Sequence, residues 1–104
     1  MANYLLVFHG GGMAETEEAQ QQSIADWTAW YDRMGSAVVD GGNPISQTRT
    51  VASDGEITEG ALNAASGYAI IAADSIDAAL ELAKACPILG DGGSVEVGET
   101  FQVL

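Results

Sequence analysis

Basic residues and cysteine are scarce in this chain. Arg33, Arg49 and Lys84 are its only Lys or Arg residues, against fifteen acidic ones, so the formal net charge at pH 7 is −12. Nucleic-acid binding depends on Lys and Arg side chains that neutralise phosphates. The charge therefore argues against nucleic acid as a partner, and against an anionic membrane surface for the same reason. The single cysteine, Cys86, excludes a disulfide within the chain.

Long apolar runs are missing as well. The sequence has no stretch of about 20 apolar residues, which is the length that a membrane-spanning helix requires. Its first residues enter an apolar strand pattern without the basic flank of a secretory signal. We therefore expect a cytoplasmic protein with no membrane partner. A length of 104 residues, 47% of them apolar, predicts a single globular domain over residues 1–104.

The chain begins with a strand that leads into a helix. Residues 3–9 are apolar on both faces up to His9, as expected for a strand covered on two sides. A helix is predicted to begin after Thr16 and to end near Gly35. Its apolar stripe is predicted to comprise Ile24, Trp27, Tyr31 and Met34, with Trp30 widening it.

A second unit of the same kind follows later in the chain. Residues 67–73 predict another apolar strand, and Asp74 or Ser75 is expected to cap the next helix. The pair Cys86-Pro87 closes that helix. Its buried stripe is predicted to consist of Ile76, Ala79, Leu80 and Ala83.

Three further strands complete the pattern. They are predicted at residues 37–40, 47–52 and 94–99, with a turn at Asp54-Gly55. The order β-α-β-β-β-α-β predicts an α+β fold, a ferredoxin-like split βαβ sandwich whose antiparallel sheet carries two helices on one face.

Two helices can cover only one face of such a sheet. The other face still receives Leu5, Val7 and apolar residues of the 67–73 strand, and these need cover. The simplest cover is a second copy packed sheet to sheet, so we predict a homodimer through the open sheet face. The sequence leaves open whether residues 41–52 pair within their own sheet or across the dimer.

Five blocks of the sequence, in this order, resemble the YCII-related family in its branch with the DGPF-type signature. The blocks are YLLVFHGGG, DWTAWY, VVDGGNP, GYAIIAADSIDAALELAKACP and GGSVEV, and they span nearly the whole chain. The resemblance implies a dimeric α+β barrel. Some relatives occur beside extracytoplasmic-function sigma factors, which implies a regulatory association.

The resemblance does not carry over a catalytic pair. Some relatives have a His early in the first helix and an Asp just before the proline that follows the second. Here Asp26 and Trp27 stand in the early helix, and Cys86 precedes the proline. The DGPF signature is altered too, because Asp54-Gly55 is followed by Glu-Ile and not by Pro-Phe.

His9 is the only imidazole and ends the first strand. Histidine exchanges protons near neutral pH, so His9 is a candidate general acid or base, oriented by Asp40 with Asn43 nearby on a glycine loop. The alternative is that His9 ties down a loop. The HGGG run that it begins resembles an esterase oxyanion-hole motif, but the chain has no G-x-S-x-G nucleophile motif.

Aromatic side chains form the other candidate site. Such residues dominate the walls of small-molecule pockets, although a helical aromatic stripe is also typical of a core. Trp30 is the preferred pocket residue because it lies off the centre of the predicted stripe, and Tyr68 and Asn43 are the other candidate ligand-binding residues. Cys86 at a helix C-terminus is expected to be an inert, packed thiol.

No metal or cofactor is expected, because one His and one Cys lack any spacing typical of metal ligands. Two functions are carried forward. The first is a dimeric small-molecule-binding or regulatory module without catalysis. The second is a small enzyme that uses His9, oriented by Asp40, as general acid or base. Whether the protein is an enzyme stays open at this point.

Overall fold

The structure, a computed structural model, describes residues 1–12 and 14–104. Its two α-helices are α1, Glu17–Met34, and α2, Ile76–Ala83, and 3₁₀ helices occupy Gly35–Ala37 and Pro87–Asp91. The strands are β1 Ala2–His9, β2 Val38–Asp40, β3 Arg49–Val51, β4 Ile57–Glu59, β5 Ala65–Ala73 and β6 Ser94–Glu99.

Four of the strands form one antiparallel sheet in the order β2-β5-β1-β6, while β3 and β4 pair separately as a hairpin. Both helices pack on one face of the four-stranded sheet. The predicted α+β, ferredoxin-like arrangement is therefore confirmed. Among the described residues, no helix combines the length and the apolar character needed to cross a membrane.

The core lies between the sheet and the two helices. Alternate residues of β1, namely Tyr4, Leu6 and Phe8, are buried on this face, because successive side chains of a strand point to opposite sides. The register places Val97 of β6 beside Leu6 on the same side. The remaining buried core residues are Trp30, Met34, Ala69, Ile71, Ala73, Ala79, Ala83, Cys86 and Ile88.

Helix α1 begins and ends as predicted. The Thr16 hydroxyl accepts a hydrogen bond from the Ala19 amide at 3.1 Å, and Gly35 ends the helix with a φ of 54°. The predicted stripe was wrong at one position, since Ile24 is 67% exposed. Trp30 is instead only 1% exposed. The buried face of α1 is therefore rotated from Ile24 toward Trp30. Burial of the indole removes more apolar area from water than burial of the smaller Ile24 side chain would.

Helix α2 is capped by Ser75, whose hydroxyl accepts from the Ala78 amide at 3.1 Å. Ala79 and Ala83 are buried as predicted, whereas Ile76 and Leu80 are 42% and 41% exposed. The small alanines let α2 approach the sheet closely, and this approach leaves the larger apolar residues at the edges of the contact. The helix ends at Ala83, earlier than predicted.

The hairpin of β3 and β4 was only half predicted. Residues 47–52 contain β3, and the Asp54-Gly55 turn is present, with Gly55 at a φ of 89°. The partner strand Ile57–Glu59 had no predicted counterpart. Every residue of both strands is exposed, so the hairpin stands away from the core. Within this chain, residues 49–51 thus pair outside the main sheet.

The face of the sheet opposite the helices is only partly covered. Its half-buried apolar residues include Leu5 and Val7 of β1 and Tyr68 and Ile70 of β5. The register pairs Leu5 with Ile70 and Val7 with Tyr68, so these four side chains form one contiguous patch. We call this patch the open sheet face.

Candidate functional site

A cavity of about 400 Å³ lies between α1, the loop after β2 and the adjoining ends of β1 and β5. We call it the aromatic cavity. The residues that line it are Phe8, Trp27, Tyr31, Gly41, Gly42, Asn43, Pro44, Ser66, Gly67, Tyr68 and Ile88. None of these side chains carries a formal charge, so the described wall is aromatic, aliphatic and neutral polar.

Two glycines let the loop approach β5 at the cavity. Gly42 has a φ of +68°, and a Cβ at this position would overlap the carbonyl oxygen of Tyr68. A Cβ at Gly67 would lie 3.2 Å from Phe8 Cδ2 and 3.3 Å from the Asn43 carbonyl oxygen. The loop is also held by the Tyr68 amide, which donates to the Asn43 oxygen at 3.3 Å.

The aromatic rings of the cavity pack against one another. Trp27 and Tyr31, one helical turn apart on α1, lie nearly parallel at 29° with ring centroids 6.3 Å apart. Phe8 meets Trp27 edge to face, with centroids 5.2 Å apart. Edge-to-face and offset contacts of this kind fix ring orientation. The cavity wall is therefore supported by a cluster that also includes Trp30.

Trp30 itself lies in the core, in contrast to the prediction that it lines a pocket. It is 1% exposed, and its Nε1–H donates to the Leu82 carbonyl oxygen at 3.0 Å. The half-buried Trp27 is the indole that lines the cavity. The other two predicted ligand-binding residues, Asn43 and Tyr68, both line the cavity. Sequence reasoning named Trp27 among the aromatics but did not prefer it.

Two hydroxyl groups at the cavity, those of Tyr31 and Ser66, are already used as donors. Tyr31 donates its phenolic proton to the Gly41 carbonyl oxygen at 2.9 Å. Ser66 donates its proton to the Phe8 carbonyl oxygen at 3.1 Å. A hydroxyl has one proton to donate and two lone pairs that accept. In this arrangement both groups offer only acceptor lone pairs to a bound molecule.

Burial raises the pKa of the Tyr31 phenol, and the charges of Cys86 and Asp40 raise it further. Burial also raises the pKa of the Cys86 thiol to about 11, although a backbone hydrogen bond from Ile88 acts in the opposite direction. Cys86 as a whole residue is 3% exposed to solvent. The raised pKa is thus due to desolvation and not to the position of Cys86 after a helix.

His9 lies outside the residues that line the aromatic cavity. Its Nε2 is 3.0 Å from Glu96 Oε1, and its Nδ1 is 3.4 Å from the Ala64 carbonyl oxygen. The residue is 9% exposed. These contacts connect β6 to the segment that leads into β5, as in the loop-tying alternative.

The predicted contact between His9 and Asp40 is not formed. Strand β5 lies between β1 and β2, and Asp40 is level with Ile70, which pairs with Leu5 and not with His9. The Asp40 carboxylate instead accepts from the Gly42 amide at 2.8 Å. Glu96 was missed, although its place as the acidic residue between two valines of an edge strand was the available signal.

A second groove and a metal site are the alternatives to the aromatic cavity. A larger groove of about 740 Å³ between α1 and the second 3₁₀ helix is more open and is lined mostly by small and polar residues, with Asp26 and Arg33 among them. In the part of the chain that the structure describes, no group of three or more His, Cys, Asp or Glu residues is arranged to hold a metal ion.

No protein-family model matches the chain. No curated protein matches it either.

Proposed function

We propose that this protein is a small-molecule-binding module whose ligand occupies the aromatic cavity. The observation that carries the proposal is the composition of the wall, in which the aromatic side chains of Phe8, Trp27 and Tyr31 line a cavity of about 400 Å³ beside a few neutral polar groups. Ligand sites are typically concave, mostly apolar and aromatic, with a small number of polar groups that set orientation.

The test uses a variant that fills the cavity without straining the backbone. A Cβ at Gly41 would have its nearest neighbour, Tyr31 Cε1, at 4.0 Å, so Gly41→Leu places a larger side chain against the cavity wall. A metabolite library is screened by thermal shift, because a ligand of the native state raises the melting temperature. We expect compounds that stabilise the wild type and have no effect on Gly41→Leu.

The matched control is Gly90→Leu. No atom lies within 4 Å of a Cβ at Gly90, and this glycine is in the second 3₁₀ helix, outside the aromatic cavity. Hits should be retained in this variant. Compounds that stabilise the wild type and Gly41→Leu equally would place the binding site elsewhere and contradict the proposal.

A second candidate function is catalysis by His9 as general acid or base. The contact at 3.0 Å between His9 Nε2 and Glu96 favours it, because a carboxylate beside imidazole orients the ring. In this version Glu96 takes the role first given to Asp40. Turnover of a library hit that is lost in His9→Gln, with the fold intact, supports the enzyme. Ligand binding that survives His9→Gln supports the binding module.

We also propose that the protein is a homodimer that buries the open sheet face. Half-buried Leu5, Val7, Tyr68 and Ile70 support this, together with Val39, which is 53% exposed on β2. A contiguous apolar patch of this kind gains free energy when a second copy covers it. Light scattering at micromolar concentration tests the proposal, and a monomeric mass for the wild type would contradict it.

A carboxylate introduced into the patch provides the matched comparison. Val7 pairs with Glu96 on one side and with Tyr68 on the other. Val7→Glu therefore places a second negative charge in the proposed interface and should shift the mass to that of a monomer. Ile24→Glu, at a position on α1 that is 67% exposed, should leave the mass unchanged.

Membership in the YCII-related family is part of the same proposal. It is supported by the five sequence blocks and by the ferredoxin-like order of the four main strands. We further propose a cytoplasmic location, because the chain's one cysteine is a free, buried thiol, which is compatible with a reducing compartment.

A further inference from the structure

We propose that the ligand of the aromatic cavity is an organic cation bearing a quaternary ammonium group. This inference rests on the proposed function, since it concerns the same cavity. It is carried by three features of the wall: the direction in which its polar groups donate, the distribution of charge around it, and its aromatic rings.

Two of the hydroxyl groups at the cavity are left as hydrogen-bond acceptors. The Tyr31 and Ser66 hydroxyls have spent their protons on the Gly41 and Phe8 carbonyl oxygens, so their lone pairs remain. An anion needs donors, and these two groups supply none. A cation, by contrast, is stabilised by oxygen lone pairs.

Two backbone donors at the cavity, one in the loop and one on β5, are spent in the same way. The Gly42 amide donates to Asp40 Oδ1 at 2.8 Å, and the Tyr68 amide donates to the Asn43 oxygen at 3.3 Å. Loops that bind anions do so with several free backbone N–H groups. Here these two N–H groups already have partners, and one of the partners is itself a carboxylate.

The charges near the cavity are negative. None of the three basic residues is among those that line it. Arg49 lies 4.0 Å from Glu59 on the hairpin, Lys84 lies 2.8 Å from Glu81 at the end of α2, and Arg33 borders the larger groove. Asp40 is held against the cavity loop through Gly42. The net charge of −12 also attracts cations over longer distances.

The aromatic rings provide the direct contact. The faces of Trp, Tyr and Phe rings attract cations, and the recognition of quaternary ammonium groups is a known use of such walls. No carboxylate lines the cavity, so a small, strongly hydrated ammonium would lose its water shell without a compensating ion pair. A quaternary ammonium is weakly hydrated and presents methyl groups to the rings, which matches an uncharged aromatic wall.

The experiment compares three probes of the same shape and different charge. They are choline, its neutral isostere 3,3-dimethylbutan-1-ol and the anion 3,3-dimethylbutyrate, each titrated into the whole protein by calorimetry and tryptophan fluorescence. We expect choline to bind about tenfold more tightly than the alcohol, equivalent to about 1.4 kcal/mol. We expect no binding of the anion.

Two variants locate the effect. Asp40→Asn keeps an oxygen that can accept from the Gly42 amide but removes the charge, so it should weaken choline about threefold and leave the alcohol unchanged. Gly41→Leu should abolish the binding of both. An alcohol that binds as tightly as choline, an anion that binds best, or the failure of all three probes to bind would overturn the cation proposal. The proposed function is tested separately, because it fails only if library hits are insensitive to Gly41→Leu.

Discussion

The imidazole of His9, at the end of β1, contacts the side chain of Glu96 on the neighbouring strand β6, and Glu96 Oε1 lies 3.0 Å from His9 Nε2. His9 pairs with Ser94, and Glu96 lies two residues further along the edge strand β6, where it pairs with Val7. The other ring nitrogen faces the Ala64 carbonyl oxygen at 3.4 Å. The side chain thereby holds the segment that returns from the exposed hairpin.

Loss of this contact should loosen that segment. Glu96→Gln keeps a hydrogen-bonding group but removes the charge, and we expect it to lower the free energy of unfolding by about 0.5 kcal/mol, because the Glu96 side chain is largely exposed. Hydrogen exchange of residues 60–65 should become faster. The control Glu81→Gln breaks the exposed pair with Lys84 and should change neither measurement. Unaltered exchange in Glu96→Gln would show that His9 does not anchor the segment.

Gly42 should tolerate no larger residue. A Cβ would overlap the Tyr68 carbonyl oxygen, and its φ of +68° is unfavourable for other residues. We expect Gly42→Ala to lower the free energy of unfolding by about 2 kcal/mol or more in urea denaturation. Gly90→Ala, where no atom lies within 4 Å of a Cβ, should stay within about 0.5 kcal/mol of the wild type. Equal stability of the two variants would contradict the close approach of loop and strand.

The indole N–H of Trp30 contributes to stability through Leu82. Trp30→Phe removes the donor and leaves the Leu82 carbonyl oxygen to backbone amides alone, those of Lys84 and of Ala85 at 3.4 Å. Together with the lost ring volume, this should cost about 1–3 kcal/mol in urea denaturation. Trp27→Phe, at a half-buried position, should cost less. A larger loss in Trp27→Phe would show that the helix packs on a different face.

The thiol of Cys86 should make the protein less stable in alkali. Burial raises its pKa from 9.0 to about 11, so the unfolded chain ionises first as the pH rises. The free energy of unfolding is then independent of this group below about pH 8 and falls between about pH 9 and 11. Urea denaturation at several pH values should show a smaller fall for Cys86→Ala than for the wild type. Burial raises the pKa of Tyr4 and Tyr31 as well, and their share of the fall is common to both proteins. Identical slopes would contradict the prediction.

Much of the fold was predictable because its signals are local. The Thr16 and Ser75 caps, the positive φ of Gly35 and the alternation of β1 depend on neighbours within a few residues in the sequence. The strand Ile57–Glu59 was not predictable in the same way. It is short and exposed, and it is stabilised in this chain by pairing with Arg49–Val51 and not by an apolar face of its own.

The candidate site was predictable only in part. Asn43 and Tyr68 were named, but Trp30 and Trp27 exchange their expected places because both fit the apolar period of α1. Tertiary contacts decide between them, since Trp30 is buried and donates to the Leu82 carbonyl oxygen of α2, whereas Trp27 stays half-buried against Phe8. The predicted partner of His9, Asp40, was wrong because β5, distant in sequence, lies between β1 and β2 in the sheet.

The sequence by itself determined the two strand–helix units, the acidic character and the absence of a disulfide within the chain. Each of these is a property of composition or of short-range periodicity. Only the tertiary structure decided that the loop after β2 approaches β5 through Gly42, that Tyr31 and Ser66 offer lone pairs to the cavity, and that Glu96 contacts His9. These relationships depend on the order of the strands in the sheet and on the direction of individual hydrogen bonds. Neither of these can be read from the pattern of residues along the chain.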